Sequence, residues 1–231
     1  MDLEPVRVEL ESEQTWRRNE IRFLKNQLTE IDGYLNKKRY RKSLVVMLYA
    51  HYEGFCKFAL LTYIEEINKC GLLCREAVDS VVAGSWWKVF HALEFGDKKA
   101  RVFSQRLPDE DQLHRFARRV EFVQTMSDFL NSRVELDDDT INTESNLWPI
   151  VLKKNLYKVG LEHDSLSSHD GQISRLLNMR NNIAHGNQRD GVTDRDYGEI
   201  ERSIFRLMDS LMDLVLEGIR LSKFKKSASA N

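Results

Sequence analysis

The stretch Leu44-Val45-Val46-Met47-Leu48-Tyr49-Ala50-His51-Tyr52-Glu53-Gly54-Phe55-Cys56-Lys57 decides the fold of this chain. Its apolar residues continue at Ala59, Leu60, Tyr63, Ile64 and Ile67, three or four apart, which is the spacing of a helix face. The apolar stripe is too broad for a surface helix. The spacing therefore predicts a long helix over residues 37–69 at the centre of a bundle, with Gly71 just past its end as a C-cap. Glu53 falls on the buried-looking face with Tyr49, Cys56 and Leu60, and a carboxylate there needs a partner. Either Arg180 or an ion pair on another helix meets that need. His51 points about 160° away from Glu53, which places it on the surface or at an interface.

Helices are expected on both sides. Ile21, Leu24, Leu28, Ile31 and Leu35 make one stripe, predicting a helix over 12–32 with Gly33 as its break. Trp86, Trp87, Phe90 and Leu93 suggest a short amphipathic helix before a turn at Gly96-Asp97. Pro108-Asp109-Glu110 opens another helix, with Leu113, Phe116, Val120, Val123 and Leu130 expected on its buried side. Residues 137–146 read as a solvated loop, because no oxygen-ligand pattern continues the acidic triplet Asp137-Asp138-Asp139. Helices follow over 149–157, ended by Gly160, and over 172–185. Thr193 caps the last long helix, which carries Tyr197, Ile200, Ile204, Leu207, Leu211 and Leu214. Sustained period-two alternation is absent. The expected architecture is one all-α domain over 1–231, a helical bundle with core helices in about 12–70 and 172–222. A helical insertion fills about 75–165, and a basic, disordered tail covers 223–231.

Composition narrows the function. Apolar residues are 42% and charged residues 31%, which fits a globular chain and excludes a disordered one. The net charge of −1 names no partner, so local charge matters more. Lys37, Lys38, Arg39, Arg41 and Lys42 crowd around Tyr40, either as a solvated helix start or as a phosphate-contacting patch for nucleic acid. Three cysteines, Cys56, Cys70 and Cys74, are too few and odd in number for a disulfide framework, and no second ligand pair follows at zinc spacing. The longest apolar run, Leu44 to Ala50, is seven residues, against about 20 for a membrane span. With an acidic start, the expectation is a cytoplasmic chain with no membrane partner. Neither a P-loop nor a dinucleotide glycine pattern is present, so no metal or cofactor is expected. His163 and His169 read as residues of a polar loop.

The chemistry concentrates in Arg180-Asn181-Asn182-Ile183-Ala184-His185-Gly186. Metal-free phosphodiester cleavage needs a proton-transfer group and a cation for the phosphate, and this segment holds both. Arg180 and His185 are five apart, about 140° on an ideal helix, so they do not face one another within one chain. Asn181 and His185 share a face, whereas Arg180 continues the apolar line of Ile173, Leu176 and Leu177. His185 sits in the last turn before Gly186, where an imidazole can give or take a proton near neutral pH.

Arg180-Asn181-x-x-x-His185 resembles the signature of the HEPN superfamily, an Arg, four to six residues and a His, with a polar residue after the Arg. Tyr49 to Lys57 is similar to the central-helix segment of HEPN proteins from prokaryotic conflict systems, in which an aromatic-Glu-Gly run follows an apolar stretch. The resemblance implies a helical homodimer and a metal-independent endoribonuclease of a defence or toxin-antitoxin system. Arg180 and His185 would be catalytic, Asn181 and Glu53 supporting, RNA the substrate, and an antitoxin or other defence protein a partner. The rival expectations are a non-cleaving HEPN scaffold that binds RNA, nucleotide or protein, and a purely structural helical adaptor.

Overall fold

A computed structural model of the chain describes residues 3–95 and 111–226. The expected turn at Gly96-Asp97, the helix start at Pro108 and the tail beyond Lys226 lie outside the described residues. Eight α-helices are described: α1 (Glu4–Asn26), α2 (Tyr34–Lys69), α3 (Asp79–Ser85), α4 (Trp87–Phe95), α5 (Asp111–Leu130), α6 (Pro149–Lys158), α7 (Asp170–Ala184) and α8 (Asp194–Arg220). Pairing among the described residues outside helices is limited to two isolated bridges, Leu73–Arg133 and Ala77–Lys225.

Central α2 packs against α1, α7 and α8, and its breadth of apolar positions is the reason. Gly33 (φ 81°) starts it and Gly71 (φ 59°) follows its end, conformations that glycine adopts without strain. By length and composition α2 could also cross a membrane, but 56% of its most apolar window is buried in the bundle. Its apolarity is that of a core helix. Against it, α8 buries Tyr197, Ile200, Ile204, Leu207, Leu211 and Leu214, the stripe expected from spacing. The Thr193 cap forms too, its Oγ1 accepting from the Asp196 amide at 3.1 Å. Gly218 of α8 leaves room for the Leu161 and Tyr63 side chains, which a Cβ would meet at 2.7 and 3.0 Å.

Three expectations need correction. The first helix begins at Glu4 rather than near residue 12, because Val6 and Leu10 extend the buried stripe by two turns and Pro5 suits a first turn. In α5 the sequence stripe faces outward: Phe116, Val120 and Val123 are exposed. The helix docks on α4 instead, through an aromatic cluster of Trp86, Phe90, Phe122 and Phe129, with His114 and Ala117 buried. Phe224, placed in the disordered tail, is fully buried edge-on against Tyr63, and the Lys226 amide donates to the Glu76 carbonyl. All three cysteines are free, and burial pushes the Cys56 thiol well up.

Candidate active site

Helix α7 carries the site. Ile173, Leu176 and Leu177 bury one face of it, and Arg180 continues that face toward α2. The guanidinium carbon lies 4.8 Å from the Tyr49 ring centroid, a cation–π contact. Arg180 Nη1 donates to Asn146 Oδ1 and to Asn181 Oδ1, each at 2.9 Å. The loop bearing Asn146 is held in turn. The Leu147 amide donates to the Tyr49 hydroxyl (3.1 Å), and the Tyr52 hydroxyl donates to the Leu147 carbonyl (3.0 Å). Two phenols one turn apart on α2 thus clamp both polar groups of one peptide residue, and the adjacent asparagine meets Arg180.

Glu53 does not pair with Arg180: among the described residues no ion pair joins them, and Arg180 spends its contacts on neutral oxygens. Both charges border Tyr49 instead. Burial raises the Tyr49 hydroxyl pKa and Glu53 adds to the rise, while the Leu147 amide and Arg180 oppose it. The Asn181 side chain serves the guanidinium; its hydrogen bond with His185 is a backbone one, the His185 amide donating to the Asn181 carbonyl at 2.9 Å.

His185 is the C-cap of α7 and is exposed. The helix ends in a Schellman turn: the Gly186 amide (φ 73°) donates to Ile183 O, and the Asn187 amide to Asn182 O. The imidazole therefore stands at the rim, while Arg180 of the same helix faces inward over Tyr49. Among the described residues no side-chain hydrogen bond joins Arg180 and His185.

The basic window fares differently from either of its two readings. Arg41 is buried and bonds Asp194 at 2.9 Å, and Lys42 Nζ donates to the Gln188 carbonyl. The Lys38 carbonyl accepts from the Val192 amide, and a Cβ on Gly191 would lie 2.5 Å from it. These residues pin residues 186–194, the segment that leaves His185, against the start of α2. Arg41 is thereby engaged with Asp194, with Lys37, Lys38 and Arg39 beside it in the same window. A different cationic surface lies between α1 and α8, a groove of about 320 Å³ lined by Arg18, Arg202, Phe205, Arg206 and Asp209. Arg18 neutralises Asp209 at 2.6 Å, whereas no carboxylate pairs with Arg202 or Arg206 among the described residues. Sequence spacing along α8 places 202 and 206 on one face, but the α1 contribution is long-range and left no sequence signal.

His51 is buried rather than at the surface. The middle of α1 lies across that face of α2. Trp16 packs edge-on to the imidazole, Arg17 Nη1 stands 3.5 Å from Nδ1, and Glu20 is 3.3 Å from Nε2. Gly54 leaves room for the Arg17 head, which a Cβ would meet at 2.7 Å. Burial lowers the His51 pKa, with Arg17 acting in the same sense and Glu20 and Glu13 opposing it. His163 is exposed beside Glu162 and Asp164, the one described trio close enough to share a cation. Those residues are contiguous and exposed, and Asp164 is already held by Lys153 and Ser167. His169 precedes α7, its pKa lowered chiefly by burial and further by Arg206.

A family model described as MAE_28990-like HEPN matches residues 6–224, nearly the whole chain. Comparison with curated proteins and with solved structures returns no match.

Proposed function

The chain belongs to the MAE_28990-like HEPN family, and from that premise we propose that it is a metal-independent endoribonuclease of a prokaryotic defence or toxin-antitoxin system, working in the cytoplasm as a homodimer. Family membership supports an RNA-directed activity. The observation that carries the finer reading is the division of labour at the end of α7: a guanidinium fixed by Asn146, Asn181 and Tyr49, and an exposed imidazole at the helix exit. His185 takes the proton from a 2′-hydroxyl, whose oxygen attacks the adjacent phosphorus. The bond to the 5′-oxygen breaks and that oxygen takes up a proton from water, leaving a 2′,3′-cyclic phosphate and a 5′-hydroxyl. Arg180 stabilises the charge that builds on the phosphate oxygens. In this reading Arg180 of one chain works with His185 of a second copy, so each chain supplies the complementary half of a site.

A second reading is a non-cleaving HEPN scaffold. It is favoured by the contacts of Arg180 itself, Nη1 to Asn146 and Asn181 and the guanidinium over Tyr49, which would equally suit a binding cleft. RNA cleavage in EDTA separates the two. The wild type is expected to cleave to cyclic-phosphate ends, with Arg180→Ala and His185→Ala each slower by about 100-fold or more and unchanged in folding. Equal rates in all three proteins would leave the scaffold.

A further inference from the structure

A cavity of about 590 Å³ lies away from Arg180, at the junction of α3, the start of α4, residues 139–140 and the end of α6. Its volume is within the range of roughly 300–1,000 Å³ typical of small-molecule sites. Its α3 wall is nearly flat, being made by Ser80, Ala83 and Gly84. A Cβ at Gly84 would meet Leu136 Cδ2 at 2.8 Å, so a larger residue there would push that side chain aside.

Two aromatic rings flank the opening, and both are held in place. Trp87 packs edge-on against His91 at 5.7 Å. Its indole also helps hold the Asp137 carboxyl low, after the larger effect of Lys88 at 2.7 Å. Tyr157 stands edge-on to His163 at 6.2 Å. Yet 44% of Trp87 and 62% of Tyr157 remain exposed. Pre-oriented aromatic surface left open to water is what a stacking ligand uses.

The polar groups are mixed in kind. Lys158 Nζ donates to the Thr140 carbonyl at 2.9 Å and keeps two further protons. Burial, reinforced by Lys154, lowers its pKa. Opposite in character are the acceptors: the Asp139 carboxylate and the Ser80 hydroxyl line the cavity, and Asp79 stands at its edge, bonded to Lys226. A strongly anionic ligand would meet these carboxylates, and an aliphatic one would leave every polar group unanswered. A flat ring whose edge carries both N–H donors and ring nitrogen or carbonyl acceptors satisfies all of them.

We propose that this cavity binds a nucleobase, stacked on Trp87 with its edge read by Asp139 and Lys158. The base belongs either to a free nucleotide or to a bound RNA strand. The wall at Thr140 belongs to the same loop that carries Asn146, so an occupied cavity adjoins the segment that fixes Arg180.

The test titrates the full chain in EDTA with the four ribonucleoside 5′-monophosphates, ribose 5-phosphate and a single-stranded RNA hexamer, using calorimetry and ligand-observed NMR. Arg180→Ala serves as the parent, so that RNA survives and the result does not depend on cleavage. At least one nucleotide or the hexamer is expected to bind, and ribose 5-phosphate is not. Trp87→Leu weakens that binding by about tenfold or more, the scale of a lost base–aromatic stack. Ala83→Phe, which fills the cavity from an exposed helix position, does the same, and thermal melts report that both variants fold. Binding by mononucleotides identifies a free-ligand site; binding by the hexamer alone identifies a subsite for one base of a strand. No binding by any base-bearing probe, or binding that a folded Trp87→Leu and Ala83→Phe leave unchanged, overturns the proposal.

Discussion

Arg180 owes its position to residues far away in sequence. Tyr49 supplies the ring under its guanidinium, Asn146 an acceptor, and Tyr49 and Tyr52 hold the loop that presents Asn146. Tyr49→Phe keeps the ring but strands the Leu147 amide, so about 1–2 kcal/mol of stability should be lost. Asn146→Ala removes only an acceptor from a half-buried cation. It should lower the cleavage rate more than it lowers the urea midpoint, and equal effects on both would reduce Asn146 to a packing residue. Arg180 and His185 were legible because their relation is local: one motif, one helix end, one glycine stop. Asn146 was not legible, since its bond to Arg180 spans 34 residues of chain and nothing in a loop sequence announces such a partner. Glu53 was legible as a buried-side carboxylate, but spacing alone did not reveal that Tyr49 is the neighbour it shares with Arg180.

At the scale of elements, spacing foretold α2, α7 and α8 because each has a continuous buried stripe. It failed for α5, where aromatic contacts to α4 outweigh an apolar stripe that ends up facing outward. It also missed the first two turns of α1, and it did not show that the predicted part of α1, at Trp16, Arg17 and Glu20, covers His51. That burial has a measurable consequence. The folded-state pKa of His51 is depressed, so between it and the unfolded value near 6.5 the unfolded chain binds more protons. Stability from this group is complete above about pH 6.5 and falls as pH drops through the folded value. Each unit of separation is worth about 1.4 kcal/mol. The groups facing the ring are Arg17, Glu20 and Glu13 on α1. His169 has a shift of the same sign, so the wild type alone does not isolate His51. Thermal melts from pH 7.5 to 5 should decline less steeply in His51→Gln than in the wild type, and parallel curves would deny the histidine any part in holding α1.

For the whole molecule, the proposed division of each site between two chains makes the oligomer the thing to test. In a two-fold dimer with composite sites, Arg180→Ala and His185→Ala chains are each inactive alone. Mixed in equal amounts, half of the dimers are heterodimers with one intact site each, so about a quarter of wild-type activity should return. No recovery after subunit exchange, verified by mass, would place both groups of a working site on one chain. The bundle and its family were within reach of the sequence because a core helix and a helix-end motif sit in the segments that define them. The cationic groove between α1 and α8 and the cavity beside Trp87 were not, because each is assembled from helices distant in the chain.

The clamp of Tyr49 and Tyr52 on Leu147 also bears on how such a protein can be re-engineered or diverge. The stretch between α2 and α7 looks like a cassette, free to be trimmed or swapped while the core persists. It is not, because excising it strips two interior phenols of their mates and leaves a guanidinium facing an empty slot. A graft in this region must therefore bring its own backbone to the same spot, and a shortened relative that keeps both tyrosines should be found to have rebuilt that contact from another loop.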